Sequence, residues 1–195
     1  VAKVRREGKE YMQSFSRGEA NTELQCIGDA KTTGTTIHFK PDDQIFETIV
    51  YSFETLEFRF REMAFLNKGI KITLEDRRTD TRKDFHYTGG IKSFVEYINR
   101  NKNSLHKNVI YFEAEKDFTT VEIAMQYTDG YSENVFTFAN NINTAEGGSH
   151  LSGFRSALTR TVNDYARKYA ILKDKDQNLD GSDIREGITA IISLR

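Results

Sequence analysis

Two adjacent glycines, Gly147 and Gly148, lie at the centre of the stretch best able to do chemistry, residues 140–155. The stretch follows an apolar strand pattern and leads into a long helix pattern that begins near His150. Paired glycines allow positive φ angles, and the first-turn N–H groups of a helix lack backbone partners. Such a corner can receive an anion or hold a rigid bend. Backbone chemistry alone favours the rigid bend and leaves the anion site as the alternative.

Basic side chains on the helix that follows form the best candidate patch. They are Arg155, Arg160, Arg167 and Lys168, and most lie off the apolar stripe of Leu151, Phe154, Leu158, Val162, Tyr165 and Tyr169. A solvated helix face explains such charges, and phosphate contact is the functional alternative. Spacing alone favours the solvated face.

No metal site or nucleophile emerges from the other polar residues. The four histidines, at positions 38, 86, 106 and 150, show no i,i+4 pair for zinc. The acidic loop 174–183 fails as a calcium loop: with Asp176 first, Gly181 fits position six, but Gly187 stands where the closing glutamate belongs. We therefore expect a solvated loop there, and no catalytic or dinucleotide-binding motif is present.

Composition limits the kinds of partner. The 195 residues carry 28 Lys and Arg against 29 Asp and Glu, so any nucleic-acid contact must come from a local patch. The single cysteine, Cys26, rules out an internal disulfide, and we expect it half-buried on a strand. No apolar run is long enough to cross a bilayer and no signal peptide opens the chain. We expect a soluble, cytoplasmic protein.

The first half of the chain predicts strands followed by a helix and a hairpin. Strands are predicted at 1–6, 10–16, 24–28 and 35–39, and Thr35, Ile37 and Phe39 should share a buried face. A helix is predicted over 53–67 with a buried stripe that includes Met63, whereas Glu62 should be solvated. A hairpin over 70–87 follows, and Gly89-Gly90 is the best internal boundary.

The second half predicts a short helix over 91–98, three strands, the long helix near 150–170, a polar loop and a final strand over 188–194. Helices segregated from mainly antiparallel strands predict an α+β fold in both halves. The strand patterns at Val1 and Arg195 start and stop abruptly, which suggests that the chain is part of a longer protein.

Several short motifs are spaced along the whole chain. They include Arg6-Glu7-Gly8-Lys9, Thr33-Gly34-Thr35, Ala64-Phe65-Leu66-Asn67, Gln126-Tyr127, Asp129-Gly130-Tyr131, Asn140-Asn141-Ile142-Asn143, Gly147-Gly148-Ser149-His150, Gly153-Phe154-Arg155 and Arg185-Glu186-Gly187. In this order the motifs resemble the B subunits of bacterial DNA gyrase and their topoisomerase IV relatives. Residues 153–160 are more similar to gyrase, and the region 173–186 is similar to both.

The resemblance implies a fold and a role. Residues 1–90 would be the C-terminal part of a GHKL-type ATPase domain, and residues 91–195 a transducer domain similar to ribosomal protein S5. In this family, ATP closes two B subunits around a DNA segment, and hydrolysis drives strand passage. The implied cofactors are ATP and Mg²⁺, and the implied partners are DNA, the gyrase A subunit and a second copy of the B subunit, with no membrane.

Residue roles follow from the same resemblance. Thr35 and Ile37 match positions on the floor of the family's adenine pocket, and Arg6 matches an arginine at its rim. A threonine hydroxyl can hold a water that bridges to adenine. Arg155 matches an arginine that faces the DNA cavity. Arg160, on the same helix, is assigned to the DNA cavity with it. Residues Gly147, Gly148 and His150 would form a structural loop.

The resemblance also implies that several parts of the ATPase lie outside this sequence. The general-base glutamate, the magnesium-binding asparagine and the glycine-rich lid would precede Val1, and the Gln-x-Lys loop would follow Arg195. We therefore expect the chain alone to be inactive, with no nucleotide or metal bound. A fragment of the topoisomerase IV B protein, or a stand-alone α+β interaction module without enzymatic activity, is the alternative.

Overall fold

The computed structural model describes residues 1–195, which divide into two compact units, Val1–Ser52 and Phe53–Arg195. Both contain β-sheet, and all the α-helices belong to the second unit. The chain is therefore α+β, as the sequence predicts.

The first unit is a twisted antiparallel sheet with a small separate ribbon. Four strands pair in the order β5-β2-β1-β6, and β3 pairs only with β4. The strands are β1 (Ala2–Arg6), β2 (Lys9–Gln13), β3 (Phe15–Ser16), β4 (Glu19–Ala20), β5 (Gln25–Asp29) and β6 (Gly34–Ile37).

The predicted buried face of the strand at 35–39 is wrong. Ile37 is 63% and Phe39 66% exposed, and Thr35 is exposed as well. Alternation predicts which side chains share a face, but burial needs a second layer. Residues 1–52 contain no helix and no second large sheet to supply one. For the same reason Cys26, expected to be half-buried, is exposed.

The second unit begins with a helix packed on a hairpin. The elements are α1 (Phe53–Leu66), β7 (Lys71–Asp76) and β8 (Thr81–His86). Ala64 of the helix, Leu74 and Phe85 form the small core between them. The predicted hairpin is confirmed, with its turn at 77–80.

The face that α1 buries differs from the predicted stripe. Met63 is exposed, whereas Glu62, expected in solvent, is 5% exposed and pairs with Arg59. Phe65 is fully buried, with its ring 3.7 Å from Tyr87 and 4.7 Å from Phe94 between ring centroids. The helix therefore packs on a second neighbour besides the hairpin, and its buried face is wider than one stripe.

A five-stranded sheet forms the rest of the second unit. Its strands run in the order β12-β11-β13-β10-β9, with β11 and β13 parallel and the other pairs antiparallel. A parallel pair needs a long crossover, which α3 and α4 provide. The elements are α2 (Ile91–Asn99), β9 (Ile110–Lys116), β10 (Thr119–Tyr127), β11 (Asn134–Ala139), β12 (Ile142–Asn143), α3 (Ser149–Lys168), α4 (Gly181–Arg185) and β13 (Ile188–Leu194).

Strand β13 lies at the centre of this sheet and is buried on both faces. Ile191 packs into the core that contains Val95 of α2. Its neighbour Ile192 faces the opposite way and packs with Phe154 of α3. The nearly unbroken apolar run of β13 is typical of a strand covered on both sides.

The carboxyl-terminal half of α3 differs from the predicted stripe. Tyr165 and Tyr169 are exposed, and Asn163 and Ala166 are buried in their place. The polar loop predicted over 173–182 leads into the additional helix α4, which begins at Gly181, and neither α4 nor β12 was predicted. No helix of the chain is long and apolar enough to cross a membrane.

Candidate functional site

A polar groove of about 590 Å³ runs along α3 and faces α4 in the second unit. Three guanidinium groups and three hydroxyl groups line it, all of them chemically suited to phosphate oxygens. They belong to Arg155, Arg160, Arg185, Ser152, Ser156 and Thr159.

One carboxylate, that of Glu133, connects two of these arginines. Arg155 donates from Nε and Nη2 to the Oε1 atom of Glu133, at 2.9 and 2.7 Å. Arg185 donates from Nε to the other oxygen, Oε2, at 3.1 Å. Glu133 directly precedes β11, so residues from three separate elements meet here. The two guanidiniums are thereby held side by side at the groove.

The pKa of Glu133 reflects this position. Partial burial raises the pKa, but the hydrogen bonds from Arg155 and Arg185 outweigh burial and hold the pKa below its ordinary value of 4.5. Glu133 is therefore ionised at neutral pH and forms charge-assisted bonds with both guanidiniums.

The four basic residues proposed from the sequence have different environments. Arg160 is exposed, lines the groove and forms no ion pair or hydrogen bond, so its guanidinium is available to a ligand. Arg167 donates to the backbone oxygens of Lys173 and Asp176, both at 2.7 Å. Lys168 lies over the ring of Tyr169. Only Arg155 and Arg160 of the four line the groove.

The loop between α3 and α4 is fixed by side chains, and this places Arg185. Asn163 donates to the carbonyl of Leu179 at 3.1 Å and accepts from its N–H at 2.8 Å. Asp180 then caps α4 by accepting from the Ser182 N–H at 3.1 Å. The cap fixes where this five-residue helix begins, and this fixes the position of Arg185 at its end.

The double-glycine corner before α3 is stabilised by hydrogen bonds between its own side chains and the neighbouring strand. Gly147 and Gly148 have φ angles of 78° and 152°, which residues with a side chain rarely adopt. His150 Nε2 lies 3.0 Å from Thr144 Oγ1, which lies 2.6 Å from Thr137 Oγ1. These contacts are those of a rigid bend. The anion alternative has no second feature in its favour.

The residues matched to an adenine pocket lie on one face of the sheet in the first unit. Thr35 pairs with Val4, and Ile37 pairs with Ala2. Side chains directly opposite each other in an antiparallel pair share a face, and so do residues two apart on a strand. Arg6, two residues beyond Val4, therefore shares the face of Thr35 and Ile37. A hydroxyl, a branched apolar group and a guanidinium are suited to a purine nucleotide.

The three residues matched to the adenine pocket include no carboxylate. No group of three or more His, Cys, Asp or Glu side chains in the chain could hold a metal ion by itself. Magnesium is usually bound by one or two protein ligands together with substrate phosphates, so Thr35, Ile37 and Arg6 alone provide no ligand set for it.

Arg185, which lines the groove, and its hydrogen-bond partner Glu133 were not proposed from the sequence. Arg185 and Glu133 are 52 residues apart, and no periodicity connects them. The only signal was the motif Arg185-Glu186-Gly187, which supported the family resemblance without a role for its arginine. Nothing in the sequence indicated a role for Glu133.

A family model matches residues 90–195, and its description is DNA gyrase B. The chain belongs to the DNA gyrase B family. The match covers the five-stranded sheet, its helices and all the residues of the groove.

Individual relatives match over nearly the whole chain. The gyrase B protein of Clostridium acetobutylicum is 54% identical over 193 residues, which are 98% of this chain and 30% of that protein. The topoisomerase 4 B protein of Bacillus subtilis is 51% identical over 193 residues, 98% of this chain and 29% of that protein. The chain thus spans about 30% of the length of these relatives.

A solved structure confirms the fold. The chain is similar to the 43K ATPase domain of Thermus thermophilus gyrase B, determined in complex with an aminocoumarin. The TM-score is 0.88 at 35% sequence identity, with all of this chain and 54% of the other covered. The α+β fold is therefore of the gyrase B ATPase type, a GHKL-type fold.

Proposed function

We propose that this chain is part of the ATP-driven half of a DNA gyrase, and that its second unit contacts the DNA backbone through the groove along α3. The observation that carries the proposal is the set of three arginines at one groove, of which Arg160 has no protein partner. Family membership supports gyrase as the parent enzyme, a type II topoisomerase that uses ATP to supercoil DNA negatively.

The local charge of the groove supports DNA over a neutral ligand. The chain as a whole has a net charge of −1, so long-range attraction to DNA is absent. Arg155, Arg160 and Arg185 bring three positive charges to the groove, against the carboxylates of Glu133 and Asp164. The three hydroxyls can add neutral hydrogen bonds to phosphate oxygens.

In this proposal the chain has two functional parts. Residues 1–90 complete a GHKL ATPase domain, where Thr35, Ile37 and Arg6 contact ATP. Residues 91–195 form a transducer that relays the nucleotide state to the DNA cavity. Magnesium, the gyrase A subunit and a second copy of the B subunit would act with the parent enzyme.

The test is the binding of a fluorescein-labelled DNA duplex of about 25 base pairs, long enough to span two helical turns, followed by fluorescence anisotropy at several salt concentrations. Arg160→Ala should weaken binding about three- to tenfold and make the slope of log K against log salt shallower by about 0.9, since one phosphate contact is lost. Arg160 has no partner in the protein, so the substitution should leave the fold intact.

Arg77→Ala is the matched control. It removes the same charge from the same unit, at a side chain that is 90% exposed in the β7–β8 turn and whose only partner is the exposed carboxylate of Glu75. The control should bind DNA as the unchanged chain does. Equal effects of the two substitutions would mean that the groove is not the DNA contact, and the proposal would fail.

A further inference from the structure

Glu133 is the one acidic side chain that bonds two of the arginines of the groove. It lies between α3 and α4, and its side chain is 27% exposed. An acidic group is unexpected in a surface meant for phosphate, because it repels the ligand and neutralises a positive charge. Its presence there calls for a physical reason.

The hydrogen bonds show what Glu133 does to Arg155. Both bonds from Arg155, from Nε and Nη2, end on the single oxygen Oε1. One edge of the planar guanidinium is thereby fixed, and Nη1 is left without a protein partner. Since Arg155 lines the groove, the guanidinium can bind Glu133 along one edge and a phosphate along the other.

Glu133 also acts on a second arginine, Arg185. Two guanidinium groups side by side repel each other, and each long side chain has rotamer entropy to lose. The second oxygen, Oε2, accepts from Arg185, so one carboxylate holds both groups in place. Arg185 is only 18% exposed and reaches the groove from α4.

We infer that Glu133 is a positioning residue for DNA binding, which orients Arg155 and Arg185 so that both present free N–H groups to one backbone phosphate region. The inference rests on the proposed function, and it adds Arg185 as a phosphate contact. Glu133 itself does not touch DNA.

The direction in which Glu133→Ala changes DNA affinity distinguishes a positioning role from simple charge screening. Glu133→Ala makes the groove more positive by one charge, so electrostatics alone predicts tighter DNA binding and a steeper salt dependence. A positioning role predicts the opposite, because two guanidiniums lose their fixed orientation. We expect Glu133→Ala to weaken binding roughly fivefold with a shallower salt slope, as ordered phosphate contacts are lost.

Glu133→Gln gives a graded outcome from the same site. The amide oxygen can accept both bonds from Arg155, which use a single oxygen in the carboxylate. The amide NH₂ would then face the Nε–H of Arg185, and two donors cannot bond. The expected order of affinity is the unchanged chain, then Glu133→Gln, then Glu133→Ala.

A second variant displaces Arg185 without any change of charge. A Cβ on Gly181 would lie 2.7 Å from Arg185 Nη1 and 2.9 Å from Thr159 Oγ1, both closer than normal contact. Gly181→Ala should therefore push the guanidinium out of its position while α4 gains a better helix former. We expect about threefold weaker DNA binding, in the same direction as Glu133→Ala.

The experiment is the same anisotropy titration, with folding checked by circular dichroism and urea unfolding for each variant. Glu96→Ala is the control for loss of a carboxylate, since Glu96 is exposed on α2 without a partner. It should bind DNA no more weakly than the unchanged chain.

The outcomes are distinct. Tighter binding by both Glu133 variants would mean screening, and lower stability with unchanged affinity would mean a purely structural role; either result overturns the inference. If Arg160→Ala weakens binding and Glu133→Ala does not, only the inference fails. If Arg160→Ala and Arg77→Ala behave alike, the proposed function fails and the inference with it.

Discussion

At the scale of single residues, Gly187 is the glycine at which an added Cβ would come closest to other backbone atoms. Its φ angle is 74°, and a Cβ there would lie 2.4 Å from the carbonyl oxygen of Thr128 and 2.7 Å from that of Gly130. Its own carbonyl accepts hydrogen bonds from the N–H and the hydroxyl of Thr128, at 2.9 and 3.1 Å. Backbone therefore packs directly on backbone where β13 begins.

Gly187→Ala should lower the free energy of unfolding by about 3 kcal/mol or more. The alanine would be strained at this positive φ angle, and its Cβ would clash with backbone atoms that cannot rotate away as a side chain can. Urea unfolding followed by circular dichroism measures the change.

Gly153→Ala is the control, since a Cβ at Gly153 in α3 meets nothing within 4 Å. It should stabilise the chain by about 0.5–1 kcal/mol, because alanine favours the helix. A loss of less than about 1 kcal/mol for Gly187→Ala would show that the backbone contact can relax.

The candidate groove could be predicted only in part at this scale. Arg155 and Arg160 are on one helix, and helical spacing is visible in the sequence. Arg185 and Glu133 join them through tertiary folding, which brings residues 52 apart in sequence into contact. A charge pair at that separation leaves no local pattern.

At the scale of elements, the turn of the β7–β8 hairpin is held by one carboxylate. Asp76 Oδ1 accepts from the backbone N–H and the Nε of Arg78, both at 2.9 Å. The hydrogen bond from the Arg78 side chain is the largest cause that lowers the pKa of Asp76, from 3.8 to about 2.

Asp76→Asn should therefore destabilise the chain at neutral pH and not at low pH. A lowered carboxyl pKa contributes stability above the unfolded value of 3.8, and this contribution is lost as the pH falls through the folded value of about 2. Urea midpoints of the two chains, measured from about pH 7 down to about pH 2, should differ at neutral pH and converge at the acid end.

The matched control is Asp80→Asn in the same turn, where φ is 51° and asparagine is well tolerated. Asp80 forms no hydrogen bond or ion pair through its carboxylate, so this substitution should change the urea midpoint little. A pH-independent difference for Asp76→Asn would contradict the ionic origin of the turn's stability.

The elements themselves could be predicted where the pattern is long. The helices α1 and α2 and the strand β13 lie within about one residue of their predicted bounds, since each has several turns or alternations. The two-residue β12 and the five-residue α4 are too short for any period. The burial predicted for strand residues in 1–52 was wrong because burial depends on which element covers a face of the sheet. A strand pattern does not contain that information.

At the scale of the whole molecule, we expect the 195-residue chain alone to show no ATP turnover. The residues matched to the adenine pocket, Thr35, Ile37 and Arg6, include no general base and no carboxylate, and phosphoryl transfer depends on positioning and charge stabilisation of the phosphates. A coupled ATPase assay with excess Mg²⁺ should give the rate of the blank, with an added unrelated ATPase as positive control. Turnover that rises in proportion to the chain's concentration would contradict this prediction.

The central position of β13 has a consequence for synthesis on the ribosome. Its neighbours β10 and β11 are complete by Ala139, yet β13 begins only at Ile188, after 48 intervening residues. At about 5–20 residues per second, the nascent chain exposes two unpaired strand edges for about 2–10 s. Unpaired strand edges are sites of aggregation, so the rate of translation through α3 and α4 should affect the yield of folded protein.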